Sequence, residues 1–584
     1  MYILGINPGH NGTAALLKDG KIIGCVSEER FSRLKNHVGF PFNSVKYLLE
    51  HFKINSSELD YVVLSTTGDL LKIGKIYDTF RETYISKNLL KKIFGYCAYK
   101  YPIPTNLVIK MKKSLIDKTR DFNSKLKTKK MLSKYFKIPE EKILLIDHHL
   151  SHALSTCFNI KRNEETLIFS LDGEGDELCA TVNIFNYKKN KIIRIAKTPK
   201  SASLGYLYAI VTLYLGMKPN EHEFKVMGLA PYAKKDKIDE PYNLFKKIIW
   251  LEDLEFKSKF RLQYADSFMN EKFKYLRFDN IAAAIQKLTE DLVVEWIKKA
   301  IKKTGIHNIA LSGGVFMNVK ANQKIYEIPE VKSLFVMPSA GDESTVFGAC
   351  FYGYKKYCEE NNVPFNPIPL RDLYLGPEYD DEYIENLIKR KNLYTKYKIT
   401  KPKNINKEVA KLLAKGEIVA RCSGKSEWGA RALGNRSILA NPKNTDTIRI
   451  LNETIKDRDF WMPFTPSILD KYEKKYVINP KSMFAPYMCI TFNSTEKARK
   501  EIPAALHPYD FTLRPQIVTK DYNPDYYEII EEFSKLTGIG GILNTSFNLH
   551  GEPNVLTPED ALHTVENSDL KYLAMGSYLF EKIK

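Results

Sequence analysis

The chain has few of the features that mark secreted and membrane-spanning proteins. Only 8 of its 584 residues are cysteines, and none form a Cys-x-x-Cys pair, which argues against a disulfide framework or a zinc ribbon. No apolar run reaches the roughly 18–20 residues of a membrane-spanning helix. The N-terminal sequence MYILGINPGH lacks the basic head and apolar stretch of a secretory signal and is typical of a first strand. We therefore expect a cytoplasmic protein with reduced thiols.

What the chain does contain is enough apolar sequence for packed cores and a large positive charge. Hydrophobic residues make up 44% of it, and its length predicts two or three domains. The net charge of +20 is concentrated in 87–138, which carries fifteen Lys or Arg and two Asp. This segment is either a solvated helical insertion or a surface that attracts an anionic substrate, membrane lipids or nucleic acid. Nucleic acid is disfavoured because no zinc-finger spacing or RNA-binding aromatic pattern accompanies the charge.

Strand and helix patterns alternate along the chain in an α/β manner. The first 65 residues predict a strand, a glycine-containing turn, a hairpin at Asp19–Gly20, a helix with Asn43 and Ser44 as candidate caps, and a buried strand. Residues 165–197 repeat the strand, turn and hairpin, which indicates two related halves that close on a ligand. A proline-rich linker at 363–377 separates them from a second α/β unit that begins at about 380.

Three glycine-bearing turns follow predicted strands, at 9–12, 172–176 and 312–314. Small residues there let backbone N–H groups approach phosphates, and a carboxylate such as Asp172 would face Mg²⁺ or a water. The alternative for each turn is a tight structural turn. Their presence in duplicated halves favours the actin-like ATPase arrangement.

Histidines in two places are candidates for chemistry. His148 and His152 lie four residues apart, so on a helix both imidazoles project from one face and can bind one metal ion. Asp342, in the loop Pro-Ser-Ala-Gly-Asp-Glu-Ser, is the candidate third ligand, and the alternative is a pair of buried or capping histidines. His10 is either a base or substrate-binding group of the first turn or a polar surface residue.

The second α/β unit is rich in cations next to glycines. Arginine and lysine neutralise and orient anionic substrates, whereas scattered arginines are also common as surface ion pairs. The candidates are Arg431, Arg436, Lys456, Arg458 and Arg514.

Longer strings carry a family resemblance. They include GINPGHNGTAAL, DHHLSHA, LDGEGD, LSGGVFMN, PSAGDES, WGARALGNRSILANP and LNTSFNLHGEPNVLTPEDAL. The chain resembles the NodU/CmcH/TobZ carbamoyltransferase family over essentially its whole length. This resemblance implies an N-terminal duplicated domain of the actin-like ATPase (Kae1-like) fold over 1–365, with the basic insertion at about 87–138. It also implies a C-terminal YrdC-like α/β domain over 380–584.

The resemblance also implies an activity. Carbamoyl phosphate and ATP give carbamoyladenylate and pyrophosphate in the C-terminal domain, and the carbamoyl group then passes to a hydroxyl of a sugar-containing or other small-molecule acceptor. The implied cofactors are Fe²⁺ or a similar metal, and Mg²⁺. The implied metal ligands are His148, His152 and Asp342. The implied carbamoyl and phosphate contacts are Arg431, Lys456, Arg514, Asn544 and Ser546. Independently of the resemblance, the short polar side chains of 544–548 could donate hydrogen bonds to a planar carbamoyl group. The implied nucleotide-side residues are Asp172, Glu223, Lys225, Gly313, Gly314 and Asn318, and His10 is implied near the acceptor.

The chain departs from the family pattern in three places. Met462 stands where an arginine is usual, His507–Gln516 has an extra residue and no glycine, and Asn11 stands where Asp is common. Two other functions therefore stay open. One is a threonylcarbamoyl-type tRNA modification enzyme, which the basic segment favours. The other is a non-catalytic nucleotide-binding relative, which the altered second unit favours.

Overall fold

A computed structural model describes residues 1–68, 115–160, 164–456 and 459–583. The chain divides into two compact units of mixed α/β structure. The first contains Met1–Glu28 and Asn36–Leu370, and the second contains Glu29–Lys35 and Arg371–Lys584. Most of the basic segment 87–138 lies outside the described residues. No helix in the described part of the chain combines the length and apolarity that a bilayer crossing requires.

The first sheet of the first unit has the order β3-β2-β1-β4-β5. Its turn at Asp19–Gly20 has φ of 47° and 84°, the left-handed pair of a tight hairpin. Strands β1 and β4 pair in parallel, as do β4 and β5, and the buried rows of β1 and β4 fit a sheet covered on both faces. The strands are β1 Tyr2–Asn7, β2 Thr13–Lys18, β3 Lys21–Ser27, β4 Tyr61–Leu64 and β5 Ile143–Leu145.

The second sheet repeats this arrangement. Its order is β8-β7-β6-β11-β12, with an antiparallel β6-β7-β8 meander and parallel β6-β11 and β11-β12 pairs. The predicted duplication of strand, turn and hairpin is therefore confirmed. The strands are β6 Thr166–Gly175, β7 Leu178–Asn186, β8 Lys191–Pro199, β11 Asn308–Ser312 and β12 Ser333–Val336, and a separate β9 Ile249–Glu252 pairs with β10 Glu255–Ser258.

Helices cover these sheets. Those of the first unit are α2 Phe42–His51, α3 Leu115–Phe136, α4 His148–Cys157, α5 Leu204–Tyr214, α6 Glu223–Leu229, α7 Asp239–Lys246, α8 Ala265–Lys272, α9 Phe278–Thr304, α10 Val319–Tyr326 and α11 Thr345–Asn361. A short helix α1, Glu29–Ser32, belongs to the second unit.

Close backbone approaches fix α11 between β1 and α4. A Cβ on Gly348 would lie 1.9 Å from the carbonyl oxygen of Ser151, and a Cβ on Gly5 would lie 2.3 Å from that of Val346. Neither glycine can be replaced without moving backbone. The start of α11, which follows Asp342, is thereby held beside the helix that carries His148 and His152.

Helix α2 is capped differently from the prediction. Its N-cap residue is Pro41, so Asn43 and Ser44 lie inside the first turn and do not cap it. The carboxylate of Glu28 accepts the backbone N–H groups of Asn43 (3.1 Å) and Ser44 (2.8 Å), and both side chains donate to it as well. A carboxylate at the end of β3 therefore replaces the expected local cap, because it satisfies two donors and favours the positive helix end.

The second unit contains an eight-stranded mixed sheet of order β13-β22-β21-β14-β15-β20-β16-β19. The strands are β13 Tyr397–Thr400, β14 Val419–Cys422, β15 Arg436–Ala440, β16 Thr465–Leu469, β19 Gln516–Val518, β20 Gly541–Ser546, β21 Tyr572–Met575 and β22 Tyr578–Lys582, with a separate pair β17 Val477–Ile478 and β18 Asn493–Ser494. The helices are α12 Asp381–Arg390, α13 Ile405–Ala414, α14 Asp446–Leu451, α15 Glu473–Tyr476, α16 Glu496–Glu501, α17 Pro524–Thr537 and α18 Pro558–Glu566.

Candidate functional site

The N-terminus of helix α4 sets the positions of His148 and His152. Asp147 is the N-cap and accepts the Leu150 N–H at 2.8 Å, while Arg194 donates to the same carboxylate oxygen at 2.6 Å. Because the helix starts at His148, the rings of His148 and His152 lie one turn apart with centroids 4.7 Å from each other. Both rings are buried.

Two carboxylates complete a four-residue cluster around these rings. Nε2 of His152 lies 3.1 Å from Oδ2 of Asp172 and 3.8 Å from Oδ1 of Asp342. Nε2 of His148 lies 3.5 Å from each of the same two oxygens. One ligand atom from each of the four residues lies within 4.8 Å of the others. The structure thus brings the three predicted metal ligands together and adds Asp172, which we had predicted on the nucleotide side.

The donor set suits a divalent transition metal. Two imidazole nitrogens and two carboxylate oxygens bind Fe²⁺, Mn²⁺ or Zn²⁺ well. An ion bonded at about 2.0–2.2 Å to each atom keeps neighbouring ligand atoms about 3 Å apart, close to the separations seen here. His148, His152, Asp172 and Asp342 are therefore the residues that would hold the ion.

Hydrogen bonds behind the ligands aim them at the common point. Ser312, at the end of β11, lies with Oγ 2.9 Å from Nδ1 of His152, which leaves Nε2 facing the cluster. The Gly173 N–H donates to Oδ1 of Asp172 at 2.7 Å, so Oδ2 faces the imidazoles. The backbone N–H of His148 donates to Asp176 at 2.8 Å. Each of these partners comes from the end of a strand in the second sheet or from the turn after it.

The charges of the cluster stabilise one another. Burial lowers the pKa of His148, but Asp342 and the hydrogen-bonded Asp172 outweigh it and raise the pKa to about 9. Burial acts to raise the pKa of Asp172, and hydrogen bonds from His148 and His152 reverse this and bring the pKa well below its ordinary value. His149 points the other way, toward Ser170, and burial together with His148 lowers its pKa to about 3.

Glycines make room for the cluster. A Cβ on Gly175 would lie 2.0 Å from Cδ2 of His148, and a Cβ on Gly314 would lie 3.1 Å from Oδ1 of Asp172. Gly313 has φ of 101°, and a Cβ there would lie 2.3 Å from the carbonyl oxygen of Leu171. The Gly-Gly turn therefore packs directly on the strand end that carries Asp172.

The turn at residues 9–12, which follows β1, is linked to the residue next to Asp342. Asn7 donates to the carbonyl oxygen of His10 at 2.7 Å, so the backbone of that residue is fixed. Asn11 donates from Nδ2 to Glu343 at 3.1 Å, and Ser339 donates to the other oxygen of Glu343. This link connects the His10 turn to the neighbour of Asp342. An aspartate at position 11 would instead face a buried carboxylate.

The remaining nucleotide-side candidates lie around α6 and α10. Glu223 begins α6, accepts the Asn220 N–H at 2.6 Å, and has a pKa that burial raises to about 7. Lys225 lies in the same helix. Asn318 accepts the Ala321 N–H as the cap of α10 and donates to Gln286 at 2.8 Å. Its side chain is therefore already engaged in helix capping.

In the second unit Asn544 is held in one orientation. Nδ2 donates to the carbonyl oxygen of Ala432 at 3.0 Å and lies 3.0 Å from Oγ of Ser467 and 3.2 Å from Oε1 of Gln516. Gln516 in turn donates to the carbonyl oxygen of Leu433, which fixes its own orientation. Oδ1 of Asn544 is buried and accepts no hydrogen bond among the described residues. Asn544 is therefore available as an acceptor and not as the predicted donor.

The other anion-binding candidates are less tightly defined. Arg431 and Arg514 are half-buried. Ser546 donates to Oδ1 of Asn548 at 2.6 Å, and Lys456 ends the π-helical turn Asn452–Lys456.

Three further predicted positions have different outcomes. Arg436 is fully buried and donates to backbone carbonyls, including that of Leu556 at 3.0 Å, so it is structural. Arg458 lies outside the described residues. Met462 is buried.

The fold and the four-residue cluster define the class of protein, a mixed α/β protein with a candidate divalent-metal centre. The family described as carbamoyltransferase N-terminus matches residues 2–351, and that described as carbamoyltransferase C-terminus matches 410–582. The chain belongs to the carbamoyltransferase family and is a carbamoyltransferase, as the resemblance predicted.

Relatives align over nearly the whole chain. An uncharacterized protein of Methanocaldococcus jannaschii is 32% identical over 100% of both chains. The nodulation protein NolNO of Sinorhizobium fredii is 29% identical over 98% of this chain and 79% of its own. The solved structure of full-length HypF with phosphate and nucleotide bound covers 62% of this chain and 47% of that one at 13% identity, with a TM-score of 0.33, a likeness too weak to define the fold.

Proposed function

We propose that the protein is an ATP-dependent O-carbamoyltransferase. Water first releases orthophosphate from carbamoyl phosphate, and the resulting carbamate oxygen attacks the α-phosphorus of ATP to give carbamoyladenylate and pyrophosphate. A hydroxyl oxygen of the acceptor then attacks the carbamoyl carbon, AMP leaves, and the hydroxyl proton passes to a base. The resemblance favours a sugar-containing or other small-molecule acceptor. It also favours a Kae1-like first unit and a YrdC-like second unit as the places of transfer and adenylation.

The single observation that carries this proposal is the cluster of His148, His152, Asp172 and Asp342. When bound there, Fe²⁺ or a similar ion would supply Lewis-acid stabilisation of negative charge. The chain's own residues keep the imidazole Nε2 atoms and the carboxylates converging on one point in a buried setting, where electrostatic interactions are strong. His10 is our candidate for the base that takes the acceptor proton, because its turn is linked through Asn11 to the neighbour of Asp342.

The second unit supports the choice of carbamoyl phosphate. A carbamoyl group differs from an acyl group by its NH₂, which is a hydrogen-bond donor. The orientation of Asn544 leaves only its buried Oδ1 to meet such a donor. An unsatisfied buried acceptor costs about 1–3 kcal/mol, so a ligand that satisfies it is favoured over one that does not. Arg431 and Arg514 are the candidates for the phosphate oxygens.

The test follows each half-reaction separately. Purified full-length protein with Fe²⁺ and Mg²⁺ is expected to exchange labelled pyrophosphate into ATP only when carbamoyl phosphate is present. Acetyl phosphate, which carries a methyl in place of the NH₂, is the matched negative substrate. AMP release is then measured with a panel of glycosides, and mass spectrometry follows a carbamoyl gain on the acceptor. Absence of carbamoyl-phosphate-dependent exchange would rule the proposal out.

A further inference from the structure

The second unit is assembled from two separate pieces of the chain. The seven residues Glu29–Lys35, here called the strap, belong to it although they follow the first hairpin of the chain. Two arginines connect the strap to different loops. Arg30 donates to the carbonyl oxygen of Gly429 at 2.8 Å, and Arg33 donates to those of Asn554 (2.8 Å) and Pro553 (3.0 Å).

Arg30 occupies a buried position, which is unusual for an arginine. It is only 6% exposed, and its bond to Gly429 is buried. Burial lowers its pKa, while Glu29 and Glu427 act in the opposite direction. Burying a charged side chain is costly unless it is paired and hydrogen-bonded. If this position served only for packing, a shorter apolar residue would fill it at a lower free-energy cost.

The loop that Arg30 contacts is 428–435, here called the Arg431 loop. Its C-terminal side is fixed by several hydrogen bonds, two of which lie next to Arg431. Ala432 accepts from Asn544, and the Leu433 N–H donates at 2.7 Å to Oε1 of the buried Glu427. Its N-terminal side is fixed at Trp428, whose N–H donates to the carbonyl oxygen of Leu373 at 2.8 Å, and at Gly429, which has φ of 98° and accepts from Arg30. Arg431 lies between these anchors, so the direction of its backbone depends on both.

We propose that Arg30 is a positioning residue that acts through the Arg431 loop and orients Arg431 toward the anionic substrate of the second unit. The substrate's identity rests on the proposed function, whereas the effect on the loop does not. Adenylation in the second unit would then depend on a residue from the first 35 of the chain. Loss of Arg30 would remove the hydrogen bond that holds Gly429, two residues before Arg431.

The experiment uses full-length Arg30→Ala and Arg30→Lys variants. Arg390→Ala is the matched control, because Arg390 is an exposed arginine of the same unit that pairs with Glu559. Hydrogen exchange read by mass spectrometry should speed up in 428–435 for Arg30→Ala and stay unchanged for Arg390→Ala. Carbamoyl phosphate affinity, measured by calorimetry, should fall about 10–100-fold, the effect of misplacing a binding group by about 1 Å.

Two further readouts separate positioning from general damage. Millimolar guanidinium, far below the molar concentrations that unfold proteins, should restore much of the affinity of Arg30→Ala by filling the vacated space. Arg30→Lys should fall between wild type and Arg30→Ala. Binding of Fe²⁺ by the first unit should be unaffected in all variants.

The outcomes distinguish the two proposals. If wild type binds carbamoyl phosphate and Arg30→Ala binds it equally well, the positioning role is wrong. If wild type shows no carbamoyl phosphate binding but the Arg431 loop loosens in Arg30→Ala, the proposed function is wrong and the anchoring stands. Loss of affinity without faster exchange in 428–435, or without guanidinium rescue, also overturns the positioning role.

Discussion

The four-residue cluster of the first unit and the candidate anion-binding residues of the second are built in opposite ways. The four residues of the cluster lie at the start of a helix, in a strand and in a short turn, and their side chains are 0–13% exposed. In the second unit Arg431 and Arg514 are half-buried and lie in loops. The first site is therefore fixed by regular backbone, whereas the second depends on hydrogen bonds between remote pieces of chain. Four substitutions or titrations test this difference.

The largest effect is expected for His152→Ala. Removing one imidazole from the four-residue cluster should weaken Fe²⁺ binding by more than about 100-fold, because even the loss of a partner behind a ligand costs 10–100-fold. Equilibrium dialysis measures this, with the exposed His51→Ala as control. Carbamoyl phosphate binding should be unchanged. A cluster that binds Fe²⁺ normally without His152 would contradict the ligand assignment.

Asn544→Asp tests the second unit by replacing the side-chain NH₂ group with an oxygen. The new carboxylate faces the carbonyl oxygen of Ala432 and Oε1 of Gln516, which are both acceptors. The hydrogen bonds from Asn544 to Ala432, in the Arg431 loop, and to Gln516 should therefore be lost. Carbamoyl phosphate affinity should fall about 10–100-fold, the range for unsatisfied buried polar groups. Calorimetry measures it, and Asn392→Asp in an exposed turn is the control. Equal affinity in Asn544→Asp and wild type would show that Asn544 does not meet the substrate.

Ser312→Ala removes only the partner of Nδ1 of His152. Fe²⁺ affinity should fall about tenfold, at the lower end of such effects, because the imidazole keeps its place but loses the fixed tautomer. Ser312→Thr keeps the hydroxyl and should retain affinity. If Ser312→Ala and wild type bind Fe²⁺ alike, the strand end contributes packing alone.

The smallest expected effect is the release of protons when the metal ion binds. The pKa of His148 is raised from 6.5 to about 9, so its protonated form, and the stability it adds, is present below pH 6.5 and lost as pH rises through 9. Because a metal ion replaces that proton, binding at pH 7.5 should release about one proton. Calorimetry in buffers of different ionisation enthalpy measures the release, which should vanish above about pH 10 and in His148→Gln.

Local patterns in the sequence predicted the parts that depend on local geometry. The spacing of His148 and His152 predicts a shared helix face, and the repeated strand and hairpin pattern predicts the duplicated sheets. The place of Asp172 in the four-residue cluster was not predicted, because sequence cannot show that the end of β6 meets the start of α4. The same limit hid Ser312 and the cap that Glu28 supplies to α2. The orientation of the Asn544 amide depends on Ser467 and Gln516, from two neighbouring strands.

Glu28 and Arg30 are two residues apart, and each is anchored in a different unit. Because these two residues are close in sequence, the two units cannot be separated by a single cut in the chain. A gene cut at the proline-rich linker would produce a C-terminal polypeptide without Arg30 and Arg33, so exchanging that half between relatives would transfer an incomplete module. Successful chimaeras should therefore carry the strap from the same parent as the C-terminal half.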